Sequence, residues 1–116
     1  MKIDLHIHTK ISDGFFSPKE VIDEAYKNGV SVISICDHDT IDAYNEELFF
    51  YAKSKNIKLI PGVEISTKTN KAGIHILGYN YDLNNNEMKE SLYKIRNARH
   101  IYLHKVAKRL EQIGYL

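Results

Sequence analysis

The sequence predicts an α/β fold in which parallel strands alternate with outer helices, and three observations carry this prediction. Short apolar runs alternate with segments of helical periodicity, as in a parallel sheet with crossover helices. One run, VSVISIC at 30–36, is almost entirely apolar, as expected of a strand covered on both faces. Side chains that suit metal ions lie on or directly after at least four of the strands, which favours a barrel rim over an open, doubly wound sheet.

The first strand is expected at residues 2–8, where apolar and polar residues alternate. Alternation with period two places the apolar side chains on one face of the strand. The other face then carries Asp4, His6 and His8. A polar strand face so rich in metal-binding groups is unusual for a simple solvated surface.

A helix is predicted to begin at Ser17 and to end before Gly29. Ser17 fits the N-cap, Pro18 fits the first helical position, and Glu20 fits the reciprocal partner of a capping box. Glycine is the residue that most readily adopts the left-handed conformation just beyond a helix end. Gly29 is therefore the expected stop.

The second strand, at 30–36, leads directly into His38. The following helix is predicted at about 42–55, with Thr40 or Asp42 as its cap. Both residue types accept hydrogen bonds from free amides at a helix start. This segment completes the second strand–helix unit.

A third strand is expected at 58–63, directly before Glu64, and Pro61 inside it indicates an edge or bulged position. A polar turn at 67–73 then separates it from a fourth strand at 74–79. A long helix follows at about 87–113, because apolar residues recur there at steps of three, four and seven. Gly114 is the expected end of this helix.

Length, charge and cysteine content restrict the class of protein. At 116 residues the chain is one domain or part of one. A formal net charge of +1 gives no global electrostatic reason to bind nucleic acid or a membrane. No window approaches the roughly 18 apolar residues of a membrane span. Cys36 is the single cysteine, so no intrachain disulfide forms. We expect a cytoplasmic protein with no membrane partner.

Six candidate metal ligands recur at strand-like intervals in the first 75 residues: His6, His8, Asp13, His38, Glu64 and His75. Mixed imidazole and carboxylate ligands suit zinc, manganese or iron, and several carboxylates suit a multinuclear centre. His38 lies between Asp37 and Asp39, either of which could accept the proton of its other ring nitrogen. The alternative is a set of solvated polar residues, but their common register favours ligation.

The long helix is basic, and two of its arginines lie one turn apart near its start. Arginine matches the geometry of phosphate oxygens, so Arg96 and Arg99 are predicted to bind substrate phosphate. The alternative for both is an ordinary solvated helix face. His100 and His104 are also one turn apart but lack the glutamate of a helical zinc motif, so a surface role is favoured.

Four segments resemble the first motifs of the polymerase and histidinol phosphatase (PHP) family: DLHIHTKISDG at 4–14, CDHDTIDA at 36–43, IPGVEIS at 60–66 and HILGY at 75–79. The resemblance implies a distorted seven-stranded (β/α) barrel with up to three metals at its rim. It implies that residues 1–116 form the N-terminal part of such a domain, with the C-terminal half of the barrel absent.

The resemblance also assigns the ligands to three metals. The first is held by His6, His8 and Glu64, and the second by Asp13 and His38. The third is held by His75 and by Glu64, which bridges. Two or three divalent ions, manganese, zinc or iron, are therefore expected.

The resemblance implies that the protein is a metal-dependent phosphoesterase. It is expected to hydrolyse nucleoside phosphates or short oligonucleotides with a metal-activated hydroxide, and Asp37 or Asp39 to assist proton transfer. The partner is thus a small phosphorylated substrate, a nucleotide or short RNA. The alternative is a non-catalytic metal-binding or assembly module of a larger polymerase-type protein. Little activity is expected of the 116-residue chain alone, and its oligomeric state is not predicted.

Overall fold

The computed structural model of the chain describes residues 1–69 and 72–114. Its elements follow the order strand, helix, strand, helix, three strands and a final helix. They are β1 (Lys2–Ile7), α1 (Pro18–Lys27), β2 (Val30–Ile35), α2 (Glu46–Ser54), β3 (Lys58–Leu59), β4 (Gly62–Thr69), β5 (Ala72–Tyr79) and α3 (Asn86–Gln112).

The first three strands form a parallel sheet in the order β1, β2, β3. Ile33 and Ile35 of β2 are fully buried in a core that α1 and α2 cover. Ile22 of α1 and Ala52 of α2 are the most deeply buried helix residues of this core. The predicted parallel order and the predicted α/β class are confirmed by this arrangement.

The last two strands form an antiparallel hairpin, so the prediction that all strands run parallel is wrong for β4 and β5. The physical reason is the short connection, because parallel neighbours need a crossover of a dozen or more residues. Strand residues reach Thr69 on one side and Ala72 on the other. The predicted polar turn at 67–73 is therefore mostly strand, and its residues 70 and 71 lie outside the described part of the chain.

The strand predicted at 58–63 is divided in two at Pro61. Proline has no N–H to donate, so a sheet ladder is interrupted there. Gly62 then passes close to β2, where an added Cβ would lie 2.1 Å from Ser34 Oγ and 2.7 Å from Cys36 Sγ. Only glycine fits this approach, and it brings the chain across from the parallel sheet into β4.

The hydroxyl of Tyr44 joins β2 to the start of β4. It accepts the N–H groups of Ile35 at 3.0 Å and Gly62 at 2.9 Å, and it lies 2.6 Å from the Ile35 carbonyl oxygen. Burial raises the pKa of Tyr44 to about 12, so the hydroxyl keeps its proton as a donor. This one side chain satisfies backbone groups where the sheet changes direction.

Helix α1 begins as predicted. Ser17 Oγ accepts the N–H of Glu20 at 3.2 Å, and Glu20 Oε1 accepts the N–H of Ser17 at 3.4 Å. Gly29 follows the helix with a φ of 69°, the left-handed conformation that favours glycine. The capping box and the stop are confirmed.

Helix α2 begins later than predicted, at Glu46. Asn45 is the N-cap, and its Oδ1 accepts the N–H of Leu48 at 2.7 Å. Thr40 Oγ1 instead accepts the N–H of Asp42 at 3.2 Å, within the preceding turn. The prediction of Thr40 or Asp42 as the cap is therefore wrong, because the helix begins at Glu46 and the Thr40 side chain satisfies a local turn.

Helix α3 runs close to its predicted bounds and is followed by Gly114 with a φ of 88°. Leu92 packs with Ile41 and Val63 in a second small core. Among the described residues of this helix Leu92 alone is buried, so much of the predicted apolar stripe faces outward. In the described part of the chain no helix is both long and apolar enough to cross a bilayer.

Candidate metal centre

All six predicted ligands come together at one end of the parallel sheet. The first histidine lies on β1, the next histidine and an aspartate follow that strand, and another histidine follows β2. The hairpin supplies a glutamate from β4 and a histidine from β5. Their donor atoms form three groups, each within 4.8 Å: His6, His8 and Glu64; His8, Asp13 and His38; and His38, Glu64 and His75.

Glu64 lies between two of these groups and presents one carboxylate oxygen to each. Its Oε1 is 2.5 Å from His6 Nε2 and 3.7 Å from His8 Nε2. Its Oε2 is 2.9 Å from His38 Nδ1 and 2.7 Å from His75 Nδ1. This is the geometry expected of a carboxylate that can be shared between two ions.

The second group, with His8 and His38, is centred on Asp13, in the loop after β1. Asp13 Oδ1 is 3.3 Å from His8 Nδ1, and Oδ2 is 3.0 Å from His38 Nε2. The loop is tight, because the Thr9 carbonyl accepts the N–H of Gly14 at 2.7 Å. A Cβ on Gly14 would lie 2.2 Å from the His8 carbonyl oxygen, so glycine is required for this turn.

The donor set fits divalent metal ions. The Nδ1 atoms of His8 and His38 are buried and have no hydrogen-bond partner within the described residues, although carboxylate oxygens lie close to both. Buried polar atoms without partners are rare, and a bound ion would satisfy them. A neutral imidazole has one free lone pair, so each of these histidines serves one group at a time. Glu64 can serve two.

Glu64 is fixed by its backbone. Its N–H donates to the Asp37 carbonyl at 3.0 Å, and its own carbonyl accepts the N–H of Asp39 at 2.9 Å. Burial by itself raises the pKa of Glu64, but hydrogen bonds from His75 and His6 outweigh it, with a further contribution from nearby histidine charge. The pKa therefore lies below its ordinary value, and the carboxylate stays ionised.

Asp37 connects the two ligand-bearing loops. Its buried carboxylate accepts the N–H and the hydroxyl of Thr9, both at 2.7 Å, and the hydroxyl of Ser12 at 2.7 Å. These bonds hold the loop after β1 against the end of β2. The sequence interpretation missed Thr9 and Ser12, since nothing distinguishes these hydroxyls from ordinary loop residues.

The expected bond from the ring of His38 to a neighbouring aspartate is not found among the described residues. The two ring nitrogens face Glu64 and Asp13, and both flanking carboxylates have other partners. Successive side chains of an extended chain point to opposite sides, which turns Asp37 away. A part for Asp37 or Asp39 in proton transfer stays a prediction.

Arg96 and Arg99 reach from α3 to Asp39. Arg96 Nη1 donates to the Asp39 carbonyl at 2.6 Å, and Arg99 Nη2 donates to Asp39 Oδ2 at 2.5 Å and also to Ser66 Oγ. An open pocket of about 620 Å³ joins both arginines to the metal-binding groups. Its polar lining includes Asp13, His38, His75, Arg96, Arg99 and His100.

The motif content of the chain matches a known domain family. The family model of the PHP domain covers residues 4–112. This chain belongs to the PHP family. The histidines and carboxylates that meet at one end of the parallel sheet all come from the four motifs that resemble this family.

Two curated relatives of this PHP chain are named as phosphoester hydrolases. A 5'-3' exoribonuclease of Haemophilus influenzae is 42% identical over 113 residues, which are 97% of this chain and 41% of that protein. A 3',5'-nucleoside bisphosphate phosphatase of Chromobacterium violaceum is 33% identical over 97 residues, 84% of this chain and 34% of that protein. The PHP chain thus spans about two fifths of the length of these relatives or less.

One solved structure and one polymerase extend the comparison. A Bifidobacterium adolescentis protein described as a metal-dependent phosphoesterase superposes with a TM-score of 0.85 at 28% identity, covering 97% of this chain and 39% of that one. A PolC-type DNA polymerase III of Ureaplasma parvum is 37% identical over 65 residues, 54% of this chain and 4% of that protein. The PHP family therefore includes both phosphoesterases and polymerase domains.

Proposed function

We propose that this PHP domain is the ligand-bearing part of a metal-dependent phosphoesterase that acts on nucleotides or short RNA. The observation that carries the proposal is Glu64, whose two carboxylate oxygens each face a separate group of candidate ligands. A carboxylate so placed belongs to a multinuclear centre rather than to a single structural ion. The pocket beside it carries two arginines suited to phosphate.

The centre is proposed to hold two or three divalent ions, manganese, zinc or iron. His6, His8 and Glu64 would hold one ion, Asp13 and His38 a second, and His75 with Glu64 a third. Bound divalent ions supply Lewis acidity and lower the pKa of water towards neutrality. Phosphoester hydrolysis then needs no serine or cysteine nucleophile from the chain.

The residues of the chain bind and orient the substrate. Arg96 and Arg99 line the same pocket as His38 and His75, so a phosphate can contact both the arginines and the metal side. Guanidinium groups present paired N–H donors that match phosphate oxygens. We propose that Arg96 and Arg99 contact the non-bridging oxygens of the substrate phosphate, where their positive charges offset its negative charge.

The parallel sheet and hairpin are proposed as the N-terminal part of a distorted seven-stranded (β/α) barrel, with residues 1–116 forming part of a larger domain. Two observations support this arrangement. The chain covers only part of each relative's length. Apolar side chains on β5 and α3, such as Ile76 and Leu103, are about half exposed at 52% and 54%. A cytoplasmic location is part of the same proposal.

The second candidate is a non-catalytic metal-binding or assembly module of a polymerase. The match to the PolC-type polymerase is the observation that favours it. Both candidate functions need the metal-binding groups, so metal binding alone does not separate them. Turnover of a phosphoester does separate them, because only the phosphoesterase is catalytic.

The separating experiment is a steady-state assay of the full-length protein with manganese. The substrates are nucleoside monophosphates, a nucleoside 3',5'-bisphosphate and short RNA. We expect metal-dependent release of phosphate or nucleotide, and near-complete loss with Glu64→Gln, which removes the charge shared between ions. Glu24→Gln, which changes a partly exposed carboxylate on α1, is the matched control. Absence of turnover on every substrate would favour the polymerase-type module, and turnover that survives Glu64→Gln would mean a misplaced site.

A further inference from the structure

Asp39 is a fully buried carboxylate beside a candidate metal ligand, yet its bonds lead towards α3. Its Oδ1 accepts the N–H of Ser66 at 2.7 Å, and its Oδ2 accepts a hydrogen bond from Arg99 at 2.5 Å. Its carbonyl accepts a hydrogen bond from Arg96 at 2.6 Å. One residue therefore joins the loop after β2, strand β4 and helix α3.

The backbone of Asp39 is held in an uncommon conformation. Its φ is 54°, in the left-handed region that aspartate and asparagine adopt more readily than other residues with a side chain. Its N–H donates to the carbonyl of Glu64, so the strand that carries the shared carboxylate fixes this conformation. Backbone strain that the surroundings maintain in this way tends to mark functional positions.

We propose that Asp39 is a positioning residue that holds the guanidinium groups of Arg96 and Arg99 on the pocket wall for substrate phosphate. The inference rests on the proposed function and gives Asp39 a part in substrate binding, in place of the proton transfer that the sequence predicts for Asp37 or Asp39. Arg96 donates to a neutral carbonyl, so this bond does not offset the positive charge that attracts phosphate. Arg99 is paired with a carboxylate, so its position is more tightly defined.

Arg99 can bind Asp39 and a substrate phosphate at the same time, because its guanidinium group has further N–H donors. Its bonds to Asp39 and Ser66 both leave from one nitrogen, Nη2. A guanidinium carries five N–H donors, so the other side of the fork can meet phosphate oxygens. Arg99 lines the pocket and its side chain is 42% exposed, whereas Asp39 is fully buried, so donors of Arg99 are accessible to a ligand there. A side chain fixed in advance loses less entropy on binding.

The test compares Asp39→Asn, Arg99→Gln and the double variant in the full-length protein. Asparagine suits the left-handed backbone and keeps an oxygen for the Ser66 N–H, so Asp39→Asn mainly removes the charge that anchors Arg99. The probe is adenosine 3',5'-bisphosphate, assayed with manganese. Inorganic phosphate binding by calorimetry gives a readout that does not depend on turnover.

We expect Arg99→Gln to raise KM and the phosphate Kd about tenfold, as for the loss of a charge-assisted hydrogen bond. Asp39→Asn should raise both severalfold, with little change in kcat or metal content. Because Asp39 acts through Arg99, the double variant should bind no more weakly than Arg99→Gln alone. Asp23→Asn is the control, since the Asp23 carboxylate on α1 accepts a hydrogen bond from the Tyr51 hydroxyl on α2 and lies outside the pocket lining.

Stability provides an independent check on folding. Arg99→Gln leaves a buried carboxylate without its ionic partner, which lowers Tm. The double variant removes both charges and should recover much of that loss without recovering affinity. If the double variant recovers Tm while its KM stays high, the bond positions Arg99 for substrate. A purely structural bond would let Tm and KM recover together.

Three outcomes overturn the proposal: additive effects on KM, an unchanged KM in Asp39→Asn, or loss of metal in that variant. Failure of the proposed function is recognised separately. In that case the unmodified protein itself shows no turnover and no phosphate binding, which removes the ligand that the arginines are proposed to hold.

Discussion

Strand β2 with helices α1 and α2 differs from strand β5 and most of helix α3 in how completely apolar side chains are covered. Ile22, Ile33 and Ile35 are wholly buried, whereas Ile76 on β5 and Leu103 on α3 are about half exposed. The metal centre draws ligands from both regions. The packed region fixes the donor atoms near β2, and the hairpin adds donors on the more open side.

This contrast also separates the ligands. The side chain of His38, which follows β2, is 18% exposed and belongs to two of the three groups. The side chain of His75, on β5, is 48% exposed and belongs to one. Glu64 joins both regions, because its strand pairs with β5 and its backbone bonds to Asp37 and Asp39. Ligands nearer the packed region should therefore contribute more to metal retention.

The largest effect is expected from removing both histidines of the first motif. His6→Ala with His8→Ala leaves Glu64 alone in the first group and takes one donor from the second. Most of the metal measured by inductively coupled plasma mass spectrometry should be lost. His104→Ala, an exposed histidine on α3, should keep its metal. Full metal content in the double variant would show that the ions bind elsewhere.

A smaller loss of metal is expected when a single histidine is replaced, and its size should depend on which histidine it is. His38→Ala should release more metal than His75→Ala, because the side chain of His38 is 18% exposed and that of His75 is 48% exposed. Equilibrium dialysis against graded manganese measures this difference. Equal losses, or a greater loss in His75→Ala, would break the link between burial and metal retention.

Two leucines of α3 test the packing contrast itself. Leu92 is 2% exposed and Leu103 is 54% exposed. Leu92→Ala should lower the free energy of unfolding by about 2–5 kcal/mol, as for other core leucines. In residues 1–116 alone, where this side chain is half exposed, Leu103→Ala should change it by less than about 0.5 kcal/mol. Urea unfolding followed by circular dichroism gives both values. A comparable cost at Leu103 would mean that this face is packed in the protein tested.

The dependence on pH should be gradual. Histidine must be neutral to bind a metal, so metal content should fall below about pH 6. The pKa of Glu64 lies below its ordinary value, so its stabilising contribution is present above the unfolded pKa and disappears only as pH falls through the lower folded pKa. Dialysis at stepped pH measures the midpoint. Metal retained unchanged at about pH 5 would argue against imidazole ligands.

Much of the site could be predicted from the sequence, because the ligand types follow short strands at regular intervals. The start of α1 was equally predictable, since Ser17 and Glu20 interact locally. The hairpin was not, because its direction depends on a short connection that periodicity does not reveal. The bonds of Asp39 to α3 were also hidden, since they join residues about 60 positions apart whose pairing only the fold determines.

The shared role of Glu64 can be tested by anomalous diffraction from crystals of the full-length protein, collected at the manganese, iron and zinc edges. We expect at least two peaks that flank Glu64, one near His6 and His8 and the other near His75. Each peak should lie beside a different carboxylate oxygen of Glu64. A single peak away from Glu64, or Glu64 without a peak at either oxygen, would contradict a metal centre shared through this residue.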